Sequence, residues 1–525
     1  MKTKKITLAG KIVIFAIVLL VAVGVVFAAG GLDLFTKDKV VATNPTPTEK
    51  ANTVTEVVTD TTVPNEPTIS SNAINLSISE KINWKPILDA NGGLTTQPGS
   101  IYDKLGIKVN ITLENNPDNS SQDFIDNNAQ ALGYTVNGYA ALYKKFQDNK
   151  VETVMPYIVD SSVGGDGIIV RGEINSLNDF VGKKIGVPAF SSDYAMVVWL
   201  LQQSDLTTEQ MEQIKKNIVV YPSVKKVAEA FFNGEVDIAG VRQPFLTQAK
   251  NTADTKVMFT TKSAKNIIAN GIVFRKDFAD ANPEIVTSFI DGAFQAIGQK
   301  GFDNVKVQPS FKDAKDADLE QMLTELKFNG FTENMNYLNG MTQTLFEDMN
   351  KVWEATGEKV VQGASATALT KSYVEKLNGK YKMEVVETTK IDNATKEKAK
   401  SQDDSQTLLK KSATINFQPN SANFVNAEEA ATVLEEFVKI AKFLDGAVIQ
   451  VEGNVANVGS NDPVASKKLS LARATAVAKY LENKGVDPTR FIVVGNGISK
   501  QIGDNKTTEG QAKNRRTDIS FKVIE

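Results

Sequence analysis

The chain has 525 residues, 42% of them hydrophobic and 23% charged, and 59 Lys and Arg against 62 Asp and Glu leave a formal net charge of −3. It contains 0 cysteines and 0 histidines, which removes disulfides, thiolate nucleophiles, zinc–thiolate sites, lipidated cysteine anchors, Ser-His-Asp triads and imidazole metal ligands together. The length fits roughly two to four domains, and a near-neutral charge without a long basic run gives no reason to expect a nucleic-acid partner.

Lys2, Lys4, Lys5 and Lys11 precede an uncharged apolar run over residues 12–29. Its 18 residues are longer than a typical signal-peptide core and approach the roughly 20 that span a bilayer. The lysines predict a cytoplasmic N-terminus, with everything beyond Gly31 outside. Residues 1–35 therefore read as a basic tip and a transmembrane signal-anchor, giving a single-pass cell-membrane protein whose bulk is extracytoplasmic. Cleavage is the alternative, because Ala28-Ala29-Gly30 offers small residues to a signal peptidase. Residues 36–71 are rich in Thr, Pro and Glu and show no periodic apolar face. They read as a disordered stalk with a reach on the order of 30 Å.

From residue 72 the pattern changes. Strand-like runs at 74–78, 107–112, 153–157, 167–171, 184–187, 218–221 and 271–274 alternate with helical runs such as 193–203, 224–233 and 283–298. The alternation predicts an α/β region with a mostly parallel sheet. In such sheets ligands sit at strand carboxyl ends and helix N-termini. Two segments are more specific: LNDFVGKKIGVP at 177–188, leading into Ser191-Ser192-Asp193-Tyr194, and AEAFFNGEVDIAG at 228–240. On these motifs residues 72–383 resemble the periplasmic solute-binding proteins of ABC importers, in the branch of nitrate, taurine and thiamine-precursor binding proteins. The resemblance implies a type II, two-lobed fold with crossover strands, a ligand in the cleft and an ABC permease as partner.

Candidate ligand contacts follow. Ser191 and Ser192 are good N-cap residues before the helix that carries Tyr194. The N–H groups and dipole at that end favour an anionic ligand group, although capping alone also accounts for the serines. The run Asp160-Ser161-Ser162-Val163-Gly164-Gly165-Asp166-Gly167 reads as a loop approaching a ligand, or as an ordinary turn. Arg242, at a strand's carboxyl end, suits bidentate pairing with an anion, or pairing with Asp237 or Glu235. Trp84 reads as a stacking platform or as core, and Gly133–Asn137 as a strand bordering the cleft. Residues 308–382 are helical in pattern, at 316–326, 335–356 and 366–377. Asp313, Asp316, Asp318 and Glu320 read as a solvated helix start, since they lack the glycine turn and closing glutamate of a calcium loop. No metal site and no cofactor are expected.

Residues 384–408 are polar and charged and read as a linker. Beyond it, strands at 413–417, 447–452, 490–494 and 518–524 and helices at 426–444 and 469–483 give an α+β order βαβαββ. The residues Val451-Glu452-Gly453, Leu469-Ser470, Arg473-Ala474, Val477, Leu481, Gly485-Val486, Arg490, Gly495-Asn496-Gly497, Asn505, Gly510 and Asn514-Arg515-Arg516 make residues 409–525 resemble the OmpA-like peptidoglycan-binding domain. The resemblance implies a site in which an aspartate takes the ammonium of diaminopimelate and Arg473 its carboxylate, with Asn454 and Arg516 as further candidates. Ala456 stands at the aspartate position, and the segment before Leu469 is longer than the family's. Asp462 is a substitute carboxylate, or Arg473 is now structural.

Without histidine, cysteine or a paired-carboxylate constellation, binding is expected and enzymatic activity is not. The sequence supports a membrane-tethered solute-binding protein for a small anion-bearing ligand, with peptidoglycan a partner of the C-terminal module. A cell-envelope scaffold joining membrane to wall or to protein partners is the alternative.

Overall fold

A computed structural model describes residues 73–385, 388–402, 407–458 and 462–524. The expected anchor and stalk lie outside the described residues. Among the described residues no helix is long and apolar enough to cross a membrane.

The central region is built on two sheets. The first holds six strands in the order Leu326–Phe328, Thr153–Ser162, Ala269–Arg275, Ala131–Thr135, Ala73–Ile78 and Lys108–Leu113. The second holds five, in the order Ile218–Tyr221, Ile185–Pro188, Ile238–Arg242, Asp166–Arg171 and Thr255–Thr260. Both are mixed, where the alternation of elements predicts mostly parallel sheets. Ala73–Ile78 runs parallel to its two neighbours, and Ile185–Pro188 does likewise in the second sheet. The chain, however, leaves the first sheet through Thr153–Ser162 and returns through Ala269–Arg275. Strands adjoining a crossing pair antiparallel, namely 153–162 with 269–275 and 166–171 with 238–242 and 255–260.

Burial explains the long outgoing strand. All 10 residues of Thr153–Ser162 are buried, so helices cover both faces and no polar alternation is needed. Asp160, Ser161 and Ser162 are therefore strand residues, which corrects the loop expected over 160–167; only 163–165 turn. The reason is the ladder, since Asp160 pairs with Asn270 and Ser161 with Ala269.

The helical run expected over 335–356 is interrupted at Tyr337–Met341, where Gly340 has φ 124°, and resumes as Thr342–Ala355. The run over 366–377 is two single turns, Ser365–Ala368 and Ser372–Glu375, parted by the bridge of Leu369 to Met155. The polar segment read as a linker contains the helix Asn393–Ser401, capped by Asp392. Its Ala399 packs on Val448 and Ile492, and Lys522 Nζ donates to Ala399 O at 3.0 Å.

The C-terminal sheet has the order Leu409–Ala413, Thr517–Lys522, Val448–Asn454 and Phe491–Gly497. Its first strand precedes the expected 413–417, because it is residues 409–413 that pair antiparallel with 517–521, from Leu409 opposite Phe521 to Ala413 opposite Thr517. The helices Ala427–Phe443 and Pro463–Asn483 cover it, with a short helix Thr508–Asn514 before the last strand. The second helix lies close to the sheet: a Cβ added at Gly453 would stand 2.0 Å from Ser470 O.

The end of Ala427–Phe443 joins the central region. Phe443 packs edge-on to Trp199 with centroids 5.5 Å apart, and one apolar cluster includes residues of both. Buried Asp348 accepts from Trp199 Nε1 at 3.3 Å and from Lys439 Nζ at 2.8 Å. Gly446 N donates to Ser263 O at 3.1 Å and Ser412 N to Asp205 Oδ2 at 3.0 Å. Asp348→Ala leaves the buried indole N–H without its acceptor, and is expected to destabilise the chain by about 1–3 kcal/mol in denaturant unfolding.

Candidate functional site

The site forms where the chain crosses between the sheets. The two crossings are stitched together: Ser162 N donates to Ile268 O at 2.9 Å, the Ser162 and Thr261 hydroxyls are 2.7 Å apart, and Thr261 N donates to Asp166 O at 2.8 Å. In front of this stitch lies a cavity of about 900 Å³ lined from both sheets, by Lys81, Asn83, Tyr134 and Asn270 on one side and by Asp166, Ser191, Ser192 and Arg242 on the other.

Several expected contacts are here. Gly165, Asp166, Ser191, Ser192 and Arg242 line the cavity, as do Gly133, Tyr134 and Thr135. Ser191 is also the helix cap: its Oγ accepts from Tyr194 N at 3.1 Å and donates to Pro188 O at 2.9 Å. Asp160 is fully buried behind the lining and accepts from Asn83 Nδ2.

Others are elsewhere. Trp84 is 0% exposed and donates from Nε1 to Ser79 O at 2.9 Å; a Cβ at Gly133 would lie 2.7 Å from its ring. It is core beneath the strand, not a stacking platform. Side chains alternate along a strand, so Ser161 points away from Asp160 and meets Tyr337 and Asn329. Ser162 serves the stitch. The Tyr194 ring stands edge-on to Trp353 at 6.0 Å.

Charge defines the site. The Arg242 guanidinium pairs with the buried Asp193 carboxylate, and Arg242 Nε stands 3.9 Å from Asp166 Oδ1. The Asp193 charge raises the Arg242 pKa further above its usual value. Arg242 is thus answered from within the protein by neither Asp237 nor Glu235. The N-terminus of Ser192–Gln203 carries its own anion, since Asp193 lies in the first turn. Burial pushes the Asp160 carboxyl up to about 7. Burial, reinforced by the Asp193 charge, pushes Asp166 up to about 6. Lys81 is held down to about 8 by burial and by the Arg242 charge.

Sequence reasoning misses Lys81, Asn83, Asp193 and Asn270. Lys81 and Asn83 follow the carboxyl end of Ala73–Ile78, a position where open α/β sheets place ligands, so a signal existed. Asn270 had none, because only its register with Asp160 identifies it.

In the C-terminal region Asn454 Nδ2 donates to Asp518 Oδ2 at 3.0 Å and Arg516 Nε to Asp518 Oδ1 at 3.0 Å. These two candidates form one buried cluster. Arg473 shares none of those partners: it donates from Nε to Ser421 O at 3.0 Å and from Nη2 to Gln418 O at 3.3 Å, and lies 5.0 Å over the Phe417 ring. Ala456 is 5% exposed, and Asp462 caps Pro463–Asn483 by accepting from Val464 N.

Residues 99–299 match the family model described as NMT1/THI5 like, and residues 416–515 match the OmpA family. The chain is 37% identical over 93 residues to Outer membrane protein A of Bordetella avium, covering 18% of this chain and 47% of that protein. It is 34% identical over 113 residues to the probable lipoprotein YiaD of Escherichia coli strain K12, covering 22% and 47%. The chain thus spans about half the length of these curated relatives. Among solved structures it is similar to a putative sulfonate ABC transporter periplasmic sulfonate-binding protein SsuA from Methylobacillus flagellatus KT, with TM-score 0.45 and 15% identity over 61% of this chain and 99% of that one. It is also similar to the periplasmic aliphatic sulphonate binding protein SsuA from Escherichia coli, with TM-score 0.44 and 12% identity over 55% and 95%.

Asp160 gives a pH test. Its folded pKa of about 7 lies above an unfolded value of about 3.9, so between these the native state holds the extra proton. Its contribution to stability is full below the unfolded value and is lost as pH rises through 7. Asp160→Asn is expected to raise the Tm at pH 8, with the gain shrinking toward pH 4, in paired thermal scans.

Proposed function

We propose that this chain, with its NMT1/THI5-like region and its OmpA-family region, is an extracytoplasmic solute-binding protein. In this reading it is tethered to the cell membrane by residues 12–29, serves ABC-type transport or sensing, and carries a wall-facing C-terminal module. The observation that supports it most is the cavity of about 900 Å³ at the paired crossings, with Asn270 Oδ1 and Arg242 Nε, from two of its lining residues, buried and without hydrogen-bond partners. A native interior satisfies such groups, and a solute in the cavity would do so. The site's means are binding ones, namely amides, hydroxyls, carboxylates and cations. Nothing in the mechanism requires chemistry: the solute enters between the sheets, displaces water and completes the hydrogen bonds at the crossing. Native mass spectrometry of the purified chain is expected to show a co-purified small molecule that is released on denaturation. An empty chain that also gives no thermal shift across carboxylates, sulfonates, phosphates and amines would end the reading.

A scaffold role toward protein partners of the envelope is the second reading, and the state of Arg473 favours it over a grip on the wall. With Ala456 in place of a carboxylate and the guanidinium bound to the carbonyls of Gln418 and Ser421, the charged pair that would grip a wall peptide is absent, a loss of a few kcal/mol in a desolvated site. Cosedimentation with purified peptidoglycan is expected to be weak and little altered by Arg473→Ala; strong binding abolished by that substitution would restore the conventional site.

A further inference from the structure

The charges around the cleft do not suit a bare anion. Two carboxylates, Asp166 and Asp193, stand with two cations, Lys81 and Arg242, around the cleft, while Asp160 lies behind the lining and is pushed toward neutrality by burial. Arg242 is already committed to Asp193 and stands against Asp166. An incoming sulfonate or carboxylate with no other charge would add an uncompensated negative group beside Asp166, and like charges repel.

The unfilled hydrogen-bonding capacity points the same way. Asn270 lines the cleft, is 4% exposed, and its Oδ1 has no donor. Asp166 lines the cleft beside Gly165, with Arg242 Nε 3.9 Å from one oxygen. An ionised carboxylate accepts at about four lone-pair sites, so it has capacity left over. These are acceptors that want a donor. Lys81 supplies the complementary half. Its backbone is fixed at both ends by Gln308, which accepts from Lys81 N at 2.9 Å and donates to Lys81 O at 3.2 Å. Among the described residues its ammonium has no hydrogen-bond or ion-pair partner.

We propose that the solute of this cleft is a small zwitterion, whose protonated nitrogen donates toward Asp166 and Asn270 and whose anionic group meets Lys81. The inference rests on the solute-binding reading above and narrows it from an anion-bearing ligand to one that also carries a positive nitrogen. With such a ligand Asp166 and Lys81 each gain an opposite charge beside the existing Asp193–Arg242 pair, and the Asn270 acceptor is satisfied.

The test is titration calorimetry on the purified full chain with matched probes: 4-aminobutyrate against butyrate, and 2-aminoethylphosphonate against ethylphosphonate. At least one amino-bearing member is expected to bind at least tenfold more tightly than its partner. Asp166→Asn should erase most of that preference, while Lys81→Met should weaken the amino acid without making butylamine a poorer ligand. Butyrate or ethylphosphonate binding as tightly as its amino partner would overturn the proposal and leave solute binding intact. Binding by no probe would overturn the proposal too, and if native mass spectrometry also showed an empty cleft, the solute-binding reading would fall with it.

Discussion

The outgoing and returning crossings are bound to each other by the Ser162 N–H on Ile268, the paired hydroxyls of Ser162 and Thr261, and the Thr261 N–H on Asp166. The rest of the central region depends on this join. It fixes where one sheet ends and the other begins, and so places the helix ending at Gln203 and the strand ending at Arg242 opposite Lys81 and Asn83. It also holds Asp160 in a strand whose two faces are both covered, so the residue is fully buried.

Burial of charge follows from that geometry. A carboxylate so placed must be neutralised, paired or protonated, and the three acids show different solutions. Asp193 takes Arg242 as partner. Asp160 is pushed up toward neutrality by burial while Asn83 donates to it. Asp166 shares Arg242 at longer range and keeps a face on the cavity. The site is thereby less stable than an apolar filling of the same volume would be, a cost commonly tolerated where a ligand supplies the missing partners.

The C-terminal region illustrates the opposite outcome. Its sheet is regular and its helix lies close at Gly453, yet Arg473 is drawn onto the carbonyls of its own loop and the Phe417 ring. The module's helix Ala427–Phe443 ends against Trp199 and Asp348, so part of its surface is spent on intramolecular packing. Asp348 matters there because it answers an indole N–H from the helix Ser192–Gln203 and an ammonium from the helix Ala427–Phe443 at once.

The sequence by itself determined many of the strands and helices, the Ser191 cap, and the presence of two recognisable regions, because periodicity and capping are local and each run of residues carries its own pattern. It also picked out Asp166, Ser191, Ser192 and Arg242, which sit at strand ends and helix starts where sites form. Only tertiary structure decided that Trp84 is core, that Ser161 faces away from the cleft, and that Arg242 is answered by Asp193. It alone brought Lys81 and Asn270, 189 positions apart in the sequence, to the same cavity. Pairing of charges and strand register arise from contacts between distant segments, and the energies that select them appear only once the sheets have come together.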